Sequence, residues 1–315
     1  MVDNSILTVV CTTYNHEKYI EKALKSFVEQ KTNYKYKIIV HDDASTDNTK
    51  NIIYNFVKNY PSLFIPIFQK ENQYSKGIKI YERFIKPLIN TKYIAFCEGD
   101  DYWVDSNKIQ IQIDYLEKHP KCSMCVHNTV MISEDGKNLK KYMSGLNIKE
   151  RDISTKEIIE SCGMPPFHTS SFVFRSSIQY YMPEVFKKLP VGDYPLAIYM
   201  SMKGIVHYIP KVMSAYRVMA KGSWTETNNK NKELNYLINC KMIEGLQNID
   251  KYTNYKYTKS FGKIVIAQKY NNLLLEKNYL ELFIRYQFLL IFIKRLLPKP
   301  VKDFIKHKLD NGIFK

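Results

Sequence analysis

The sequence predicts an α/β fold in which a mostly parallel sheet is covered by helices and followed by a helical C-terminal extension. Strand and helix patterns alternate over the first 130 residues, become mixed from about residue 122 to 224, and give way to helical spacing from residue 226 onward. Such alternation is typical of parallel strands joined by crossover helices. We therefore divide the chain into residues 1–120, 121–225 and 226–315.

The first elements are the most regular. Ser5–Thr12 is apolar and rich in β-branched residues, as in a buried strand, and Asn15 follows at a position suited to cap a helix. Tyr36–Asp42 is a second strand, after which Asp47 is placed to cap a second helix. The first helix presents one apolar face, formed by Ile20, Ala23, Leu24, Phe27 and Val28.

The remaining elements follow from the same patterns. Leu63–Phe68 is predicted as a third strand, and Pro66 favours an edge or a bulge for it. The other expected strands are 92–97, 122–131, 169–175 and 211–217, and the other expected helices are 78–89, 105–119 and 194–202.

Composition excludes several classes of protein. The chain has 315 residues, a net charge of +16 and 45% hydrophobic residues, which is enough for a sizeable core. Its closest glycines, Gly136 and Gly145, lie nine residues apart. Glycine-rich dinucleotide loops and P-loops need spacings of about two to five residues, so both classes are excluded. The positive charge indicates an anionic partner: nucleic acid, anionic lipid or a phosphorylated substrate.

Cysteine usage leaves two interpretations of one segment open. The six cysteines and the absence of a visible secretory signal favour a reducing, cytoplasmic compartment. Cys122-x-x-Cys125, flanked by His119 and His127, has a spacing found in zinc sites but lacks a second pair of ligands. The same stretch also fits a buried strand, which we favour.

Polar motifs follow three predicted strands at the points where they end. Thr12–Asn15 follows the first strand, Asp42–Asp47 the second, and Glu98–Asp101 the strand that ends at Cys97. Ligands of open α/β sheets bind outside these strand ends, so we expect four carboxylates to face one crevice. Crowded carboxylates need a cation or hydrogen-bond donors, and oxygen ligands favour Mg²⁺ or Mn²⁺. A turn followed by a helix cap would explain Asp47, but it would not explain the adjacent pair Asp42 and Asp43.

The segments VVCTTYN, VHDDASTDNT and FCEGDDYW, in this order and spacing, resemble the family 2 glycosyltransferases, which have the GT-A fold. The resemblance covers about residues 5–217. It implies a nucleotide-sugar-binding half at 1–120 and an acceptor-binding half at 121–225. It also implies an inverting, metal-dependent transfer from a UDP-sugar to an acceptor hydroxyl, with Mn²⁺ or Mg²⁺ as cofactor. The Q-x-x-R-W motif of processive synthases is absent, because Ser223 precedes Trp224, which favours addition of a single sugar.

The resemblance also implies roles for individual residues of the first half. Thr12 and Tyr14 would hold the nucleotide, and Asp43 would accept a hydrogen bond from the uracil N3. Asp100 would approach the ribose and the metal, and Asp101 would ligate the metal directly. Glu98 stands where the family often has the first Asp of its acidic motif, so a metal role for Glu98 is left open.

The acceptor half supplies further candidates. Asp193, in LPVGDYPL, matches the position of the family's general base, although a helix cap would explain the same residue. His168 would contact the acceptor or a phosphate, the alternative being a polar group at the start of a strand. Arg217 and Ser223 would close on the diphosphate as parts of a lid.

The C-terminal region is basic and apolar at once. Residues 281–315 carry eight Lys or Arg against three acidic residues, interleaved with bulky apolar side chains. This pattern favours an anionic membrane surface as a partner, and the alternative is a helix packed on the catalytic domain. A peripheral position on the inner face of the cytoplasmic membrane suits a glycan or lipid-linked sugar acceptor in bacterial surface-glycan assembly.

Three other functions fit the sequence less well. A nucleotidyltransferase would bring a glycine-rich, basic signature near the N-terminus, which VVCTTYNHEKY lacks. A nucleic-acid-binding protein would account for the charge and the 25 tyrosines, but the densest basic region lies beside aliphatic residues and no recognition motif appears, so no nucleic-acid partner is expected. A carbohydrate-binding relative without catalysis is disfavoured by Asp100, Asp101 and Asp193.

Overall fold

The computed structural model describes residues 4–144, 148–161, 167–218, 220 and 231–276. The chain forms two compact units. One comprises Met1–Lys187 with Val191–Glu226, and the other comprises Lys188–Pro190 with Thr227–Lys315. The first unit holds the sheet and all of the residues discussed below as a site.

The N-terminal part of the first unit is a parallel α/β layer. Strand β1 lies between β2 and β4, and β3 pairs with β2 at the edge, as expected for the proline-containing strand. The register of β1 with β4 runs from Leu7↔Tyr93 to Val10↔Phe96, so both strands end at the same edge of the sheet. The elements are β1 Leu7–Thr13, α1 Ile20–Val28, β2 Tyr36–Asp42, α2 Thr49–Asn59, β3 Phe64–Phe68 and β4 Tyr93–Phe96.

The second part of this unit completes a mixed, mostly parallel sheet in the order β3-β2-β1-β4-β9-β6-β10-β5, with β7 on β6 and β8 on β10. Strand β9 is antiparallel to both of its neighbours, β4 and β6. The elements are β5 Tyr102–Trp103, α3 Lys108–Lys118, β6 Cys122–Ile132, β7 Asn138–Tyr142, β8 Arg151–Ile153, α4 Thr155–Glu160, β9 Val173–Arg175, α5 Ser176–Tyr180, α6 Glu184–Lys187, α7 Asp193–Lys203 and β10 Ile205–Arg217.

The second unit contains two long helices within its described residues. Helix α8 spans Lys232–Tyr252 and α9 spans Thr258–Leu275, and Asn239 Nδ2 of α8 donates to Asn272 Oδ1 of α9 at 2.9 Å. The predicted α/β fold with a helical C-terminal region is confirmed. Within the described ranges, no helix is both long and apolar enough to cross a membrane. The basic stretch 281–315 lies outside those ranges.

Several local predictions differ from the structure, among them the start of the strand expected at 211–217, which begins at Ile205. Asn15 does not cap α1, which begins at Ile20, because Asn15 adopts a left-handed backbone with φ of 54° in the preceding loop. Helix α2 begins at Thr49 rather than directly after Asp47, although Asp47 Oδ1 still accepts from the Thr49 amide at 3.0 Å. The segment expected to be one helix at 78–89 is broken into short helical turns, where Pro87 disrupts the bonding pattern. The strand expected from Thr169 starts only at Val173, after a 3₁₀ turn.

The cysteine pair belongs to a buried strand. Cys122 and Cys125 lie in β6 and are fully buried, and the Cys122 thiol donates to the carbonyl oxygen of Met124 at 3.2 Å. The strand interpretation is therefore confirmed. In the part of the chain that the structure describes, the cluster of side chains able to hold a metal ion lies elsewhere, beyond the end of β4.

A lysine is buried beneath the sheet. Lys108, the first residue of α3, is fully buried, and its ammonium lies 4.2 Å from the centroid of the Trp103 ring. Its Nζ has no hydrogen-bond partner among the residues resolved here. Burial lowers the pKa of Lys108 to about 7, because the charged form loses its hydration.

We expect the substitution Lys108→Met to stabilise the fold. In the unfolded chain Lys108 keeps its proton up to a pH of about 10.4, whereas in the folded chain it releases the proton above a pH of about 7. The free-energy cost of burying Lys108 therefore grows as the pH falls from 10 to 7 and reaches its full value below 7. The expected gain is about 2–4 kcal/mol in the free energy of unfolding at pH 7 and shrinks toward pH 10. Urea unfolding at both pH values tests this, with exposed Lys118→Met as the control. Equal effects of the two substitutions at pH 7 would contradict it.

Candidate active site

The loops that follow β1 and β2 hold each other in place. The Asn15 amide donates to Ser45 Oγ at 2.8 Å, and the Thr46 amide donates to Asn15 Oδ1 at 2.8 Å. A second set of reciprocal bonds joins Glu17 to Asp47 and Asn48: Asp47 Oδ2 accepts from the Glu17 backbone amide, and Glu17 Oε2 accepts from the Asn48 backbone amide, each at 3.0 Å. These side chains therefore shape the edge of the sheet.

The adjacent acidic pair at the end of β2 serves two different loops. Asp42 accepts from the hydroxyl of Ser45 within its own turn. Asp43, only 3% exposed, accepts from the backbone amide of Gln73 at 2.8 Å and from the backbone amide of Tyr74 at 3.0 Å. Each oxygen of Asp43 retains a second lone pair and can accept one more hydrogen bond. A hydrogen bond from uracil stays a prediction.

An open cavity of about 670 Å³ lies beside the loop that Asp43 holds. The cavity is lined in part by Gln73, whose backbone amide donates to the Asp43 carboxylate. The wall combines aromatic and cationic side chains, including Phe68, Phe84 and Arg83. The cavity is therefore next to the position where the resemblance places a nucleobase.

Thr12 and Tyr14 lie where β1 approaches the acidic motif. The carbonyl oxygen of Thr12 accepts from the Gly99 amide at 3.0 Å, and Tyr14 is 41% exposed. Gly99 is required at this crossing, because a Cβ atom there would lie 2.7 Å from Thr13 Oγ1. The close approach places Tyr14 and the Glu98–Asp101 segment on the same edge of the sheet. Nucleotide contacts by Thr12 and Tyr14 stay predictions.

The acidic motif meets His168 at this edge. Asp101 is buried, its Oδ1 accepts from the Arg217 amide at 2.8 Å, and its Oδ2 lies 3.4 Å from His168 Nδ1. Glu98, Asp101 and His168 each offer one ligand atom, and these atoms lie within 4.8 Å of one another. Sequence reasoning left the metal role of Glu98 open and placed His168 on the acceptor side, so it missed this group of three.

The pKa values of all three side chains of the cluster are shifted from their ordinary values. Burial, with contributions from Asp100 and Asp193, raises the pKa of Glu98 to about 8. Burial, followed by Asp100 and Glu98, raises the pKa of Asp101 well above its ordinary value. Burial lowers the pKa of His168 to about 3, so the imidazole is neutral. Carboxylates in this setting are stabilised as anions by a nearby cation or by hydrogen-bond donors.

The group of three fits a divalent metal ion. Ligand atoms about 2.2 Å from one ion lie about 3 Å apart when adjacent and about 4.4 Å apart when opposite. The three atoms of this group lie within 4.8 Å of one another, so small movements would bring them to one ion. Two carboxylates and a neutral imidazole are ordinary ligands for such ions. Asp100 affects both carboxyl pKa values but is not one of the three, so a metal contact by Asp100 stays a prediction.

Asp193 faces the same cluster from α7. As the first residue of that helix, it accepts from the Tyr194 amide at Oδ1 (2.8 Å) and from Thr169 Oγ1 at Oδ2 (3.2 Å). Thr169 directly follows His168 in the chain, so the residue that donates to the Asp193 carboxylate is adjacent to one of the three candidate metal ligands. Burial raises the pKa of Asp193, which makes the carboxylate more basic.

Arg217 positions the acidic motif. Its side chain is 5% exposed, and its Nε donates to the carbonyl oxygen of Asp100 at 3.0 Å. Its Nη1 donates to the carbonyl oxygens of Ser133 (3.1 Å) and Glu134 (2.6 Å), and the guanidinium lies 4.4 Å from the centroid of the Tyr19 ring. These bonds hold the loop of Asp100 and Asp101, and a contact between Arg217 and diphosphate stays a prediction. Ser223 lies outside the described residues.

Comparison with known proteins agrees with this fold. The family model for glycosyl transferase family 2 matches residues 8–178, which is more than half of the chain. This match places the chain in the class of glycosyltransferases, which agrees with its mixed, mostly parallel sheet. The chain belongs to glycosyltransferase family 2.

Two relatives illustrate the range of similarity. An uncharacterized protein of Mycobacterium tuberculosis is 31% identical over 69% of this chain, which spans only 60% of that relative's length. The Campylobacter jejuni GalNAc(5)-diNAcBac-PP-undecaprenol beta-1,3-glucosyltransferase is 28% identical over 80% of this chain and 78% of its own.

Two solved structures share the fold. Staphylococcus aureus TarS (residues 1–349), in complex with UDP-GlcNAc, aligns with a TM-score of 0.56 at 15% identity, covering 97% of this chain and 92% of that one. The mannosyltransferase PcManGT of Pyrobaculum calidifontis, in complex with GDP-Man and Mn²⁺, aligns with a TM-score of 0.52 at 15% identity, covering 100% and 82%.

Proposed function

We propose that the chain transfers one sugar from a UDP-sugar to an acceptor hydroxyl with inversion at the anomeric carbon. The observation that carries this proposal is the convergence of Asp193 on the turn that also presents His168 to Glu98 and Asp101. A half-buried carboxylate beside a site for a divalent ion supplies both halves of the chemistry, a base for the acceptor and a counter-charge for the leaving group.

The donor half holds the nucleotide diphosphate. Glu98, Asp101 and His168 would hold Mn²⁺ or Mg²⁺, which when bound stabilises the negative charge on the departing diphosphate. Thr12, Tyr14, Asp43 and Asp100 line the adjacent edge and take the nucleoside. Arg217 keeps the Asp101 carboxylate oriented through its amide.

Asp193 acts as the general base. Its carboxylate takes the proton of the acceptor hydroxyl while that oxygen bonds to the anomeric carbon and the bond from that carbon to the diphosphate oxygen breaks. One displacement without a covalent intermediate inverts the configuration. Thr169 and the Tyr194 amide fix the two oxygens of Asp193, so that the base does not have to reorganise.

The acceptor is proposed to be a glycan or lipid-linked sugar of a bacterial surface polymer. The Campylobacter relative is named for action on an undecaprenol-linked sugar, which supports this class of acceptor. The basic, apolar residues 281–315 would bring the enzyme to the anionic inner face of the cytoplasmic membrane.

A panel of sugar nucleotides tests the donor assignment. We expect a UDP-sugar, with Mn²⁺ present, to raise the melting temperature of the full chain, because a ligand that binds only the folded state stabilises it. GDP- and dTDP-sugars serve as matched comparisons. Release of UDP and proton NMR of the product anomer then report transfer and inversion. Stabilisation by a GDP-sugar alone, or retention of configuration, would contradict the proposal.

A further inference from the structure

The short turn that follows His168 has a buried inner side. Residues Thr169–Ser171 form a 3₁₀ turn, and both of its serines are fully buried. Within the turn, the Ser171 amide donates to the His168 carbonyl oxygen at 2.8 Å, and the Ser171 hydroxyl donates to the same oxygen at 2.6 Å. A 3₁₀ turn of three residues is held by few bonds of its own. Its position therefore depends on the bonds that other elements make to it.

Two buried side chains from other elements hold this turn by its carbonyl oxygens. Gln112 of α3 is fully buried, and its Nε2 donates to the Ser171 carbonyl oxygen and to the Cys125 carbonyl oxygen, each at 2.8 Å. Trp103 Nε1 of β5 donates to the Ser170 carbonyl oxygen at 3.1 Å. Because both protons of the Gln112 side-chain amide are used, its orientation is fixed, and it joins the turn to strand β6.

Hydroxyl groups hold the turn from a second direction. Ser170 Oγ lies 2.9 Å from Ser214 Oγ of β10 and 3.0 Å from His168 Nδ1. Ser214 Oγ in turn lies 2.9 Å from Thr129 Oγ1 of β6, and all three hydroxyl-bearing residues are fully buried. The turn is therefore bonded to α3, β5 and β10 at once.

The same turn contacts the carboxylate that we propose as the general base. Thr169 Oγ1 donates to Asp193 Oδ2 at 3.2 Å, so a displacement of the turn would move this donor away from the base. Gln112 bonds to the backbone of the turn two residues after Thr169, and it acts on the base through the turn. A misplacement of reacting groups by about 1 Å can lower a rate by about 10²-fold.

We infer that Gln112 is a positioning residue for sugar transfer: it holds the Ser171 carbonyl oxygen and thereby keeps Thr169 where it orients the Asp193 carboxylate. Trp103 acts in the same way through its bond to the turn. The inference rests on the proposed function for the role of Asp193 as the base.

Steady-state transfer by the full chain with Gln112→Met tests this role, because methionine is similar in size but has no proton to donate. We expect kcat to fall by about 10- to 100-fold. The KM for the sugar nucleotide should change by less than about threefold. The His168 ring is held separately by stacking on Tyr216, with 4.1 Å between ring centroids, so the nucleotide side is less affected.

Gln110→Met is the matched control. Gln110 lies on the same helix, but its side chain bonds to Thr32 and Asp114 instead of the turn. This variant should transfer sugar at the wild-type rate.

A double-mutant cycle separates positioning of the base from a general structural effect. In the Asp193→Asn background, Gln112→Met should lower the residual kcat by less than about threefold, because the group that it positions is already lost. An equally large fall in both backgrounds would overturn the inference. Melting temperatures verify that each variant folds. If Gln112→Met does not fold, Trp103→Phe takes its place in the same cycle with the same expectations, since it keeps an aromatic ring and removes the indole N–H.

The two proposals fail in different ways. Wild-type turnover of Gln112→Met beside an impaired Asp193→Asn would refute the positioning role and leave the proposed function intact. Wild-type turnover of Asp193→Asn would refute the proposed base and the positioning role together.

Discussion

Replacing Asp193 by Asn should lower the rate of sugar transfer by about 10² to 10⁴-fold, the range typical of a lost general base. An amide oxygen can still accept from the Tyr194 amide, so the start of α7 keeps its bond while the basic carboxylate is removed. Nucleotide binding should change little, because Asp193 begins α7, whereas the proposed nucleotide contacts lie after β1, β2 and β4. Turnover and UDP affinity, measured on the same protein, separate the two effects.

Glu184→Gln provides a matched control, since Glu184 is an exposed carboxylate on the neighbouring helix α6, paired with Lys187. The control should transfer sugar at the wild-type rate. If Asp193→Asn loses UDP binding together with turnover, Asp193 has a structural role rather than a catalytic one.

Replacing Asp101 by Asn should abolish metal-dependent transfer, with a loss of at least about 10²-fold, because one charged ligand of the ion is lost and the leaving diphosphate is less well stabilised. Asn Oδ1 can still accept from the Arg217 amide, so the loop should keep its conformation. Mn²⁺ affinity should fall in parallel with the rate, and added Mn²⁺ should restore part of the activity.

Asp105→Asn serves as the comparison, because Asp105 lies four residues further along the chain and pairs with Lys211 away from the cluster. Its removal should leave Mn²⁺ affinity unchanged. Undiminished metal binding in Asp101→Asn would exclude Asp101 as a ligand.

The fold could be predicted where local pattern and tertiary context agree. Strand β1 and helix α1 were predicted correctly from Ser5–Thr12 and from the apolar face that follows, because the apolar residues of both elements are buried, as their spacing indicates. The prediction for residues 78–89 was wrong because Pro87 and local turns outweigh the apolar spacing. Asn15 was misassigned because its side chain serves a partner 31 residues away, which helix-capping rules do not consider.

The site was predictable only in part, for a topological reason. Acidic residues at the ends of β2 and β4 follow from the strand order, and the structure places Glu98 and Asp101 at that edge. His168 joins them because β9 inserts antiparallel between β4 and β6, with Ala95 opposite Val173, so the chain just before β9 lies beside the end of β4. A strand as short as β9, preceded by a 3₁₀ turn, leaves no periodic signal of its direction or its neighbours.

The reciprocal bonds between the loops after β1 and β2 also bear on engineering. Asn15 with Ser45 and Thr46, and Glu17 with Asp47, make two segments 30 residues apart behave as one rigid piece. Exchange of either loop alone with a relative of different donor specificity would leave unmatched amides at the rim of the sheet. A chimera that changes the donor sugar must therefore move both loops as one module.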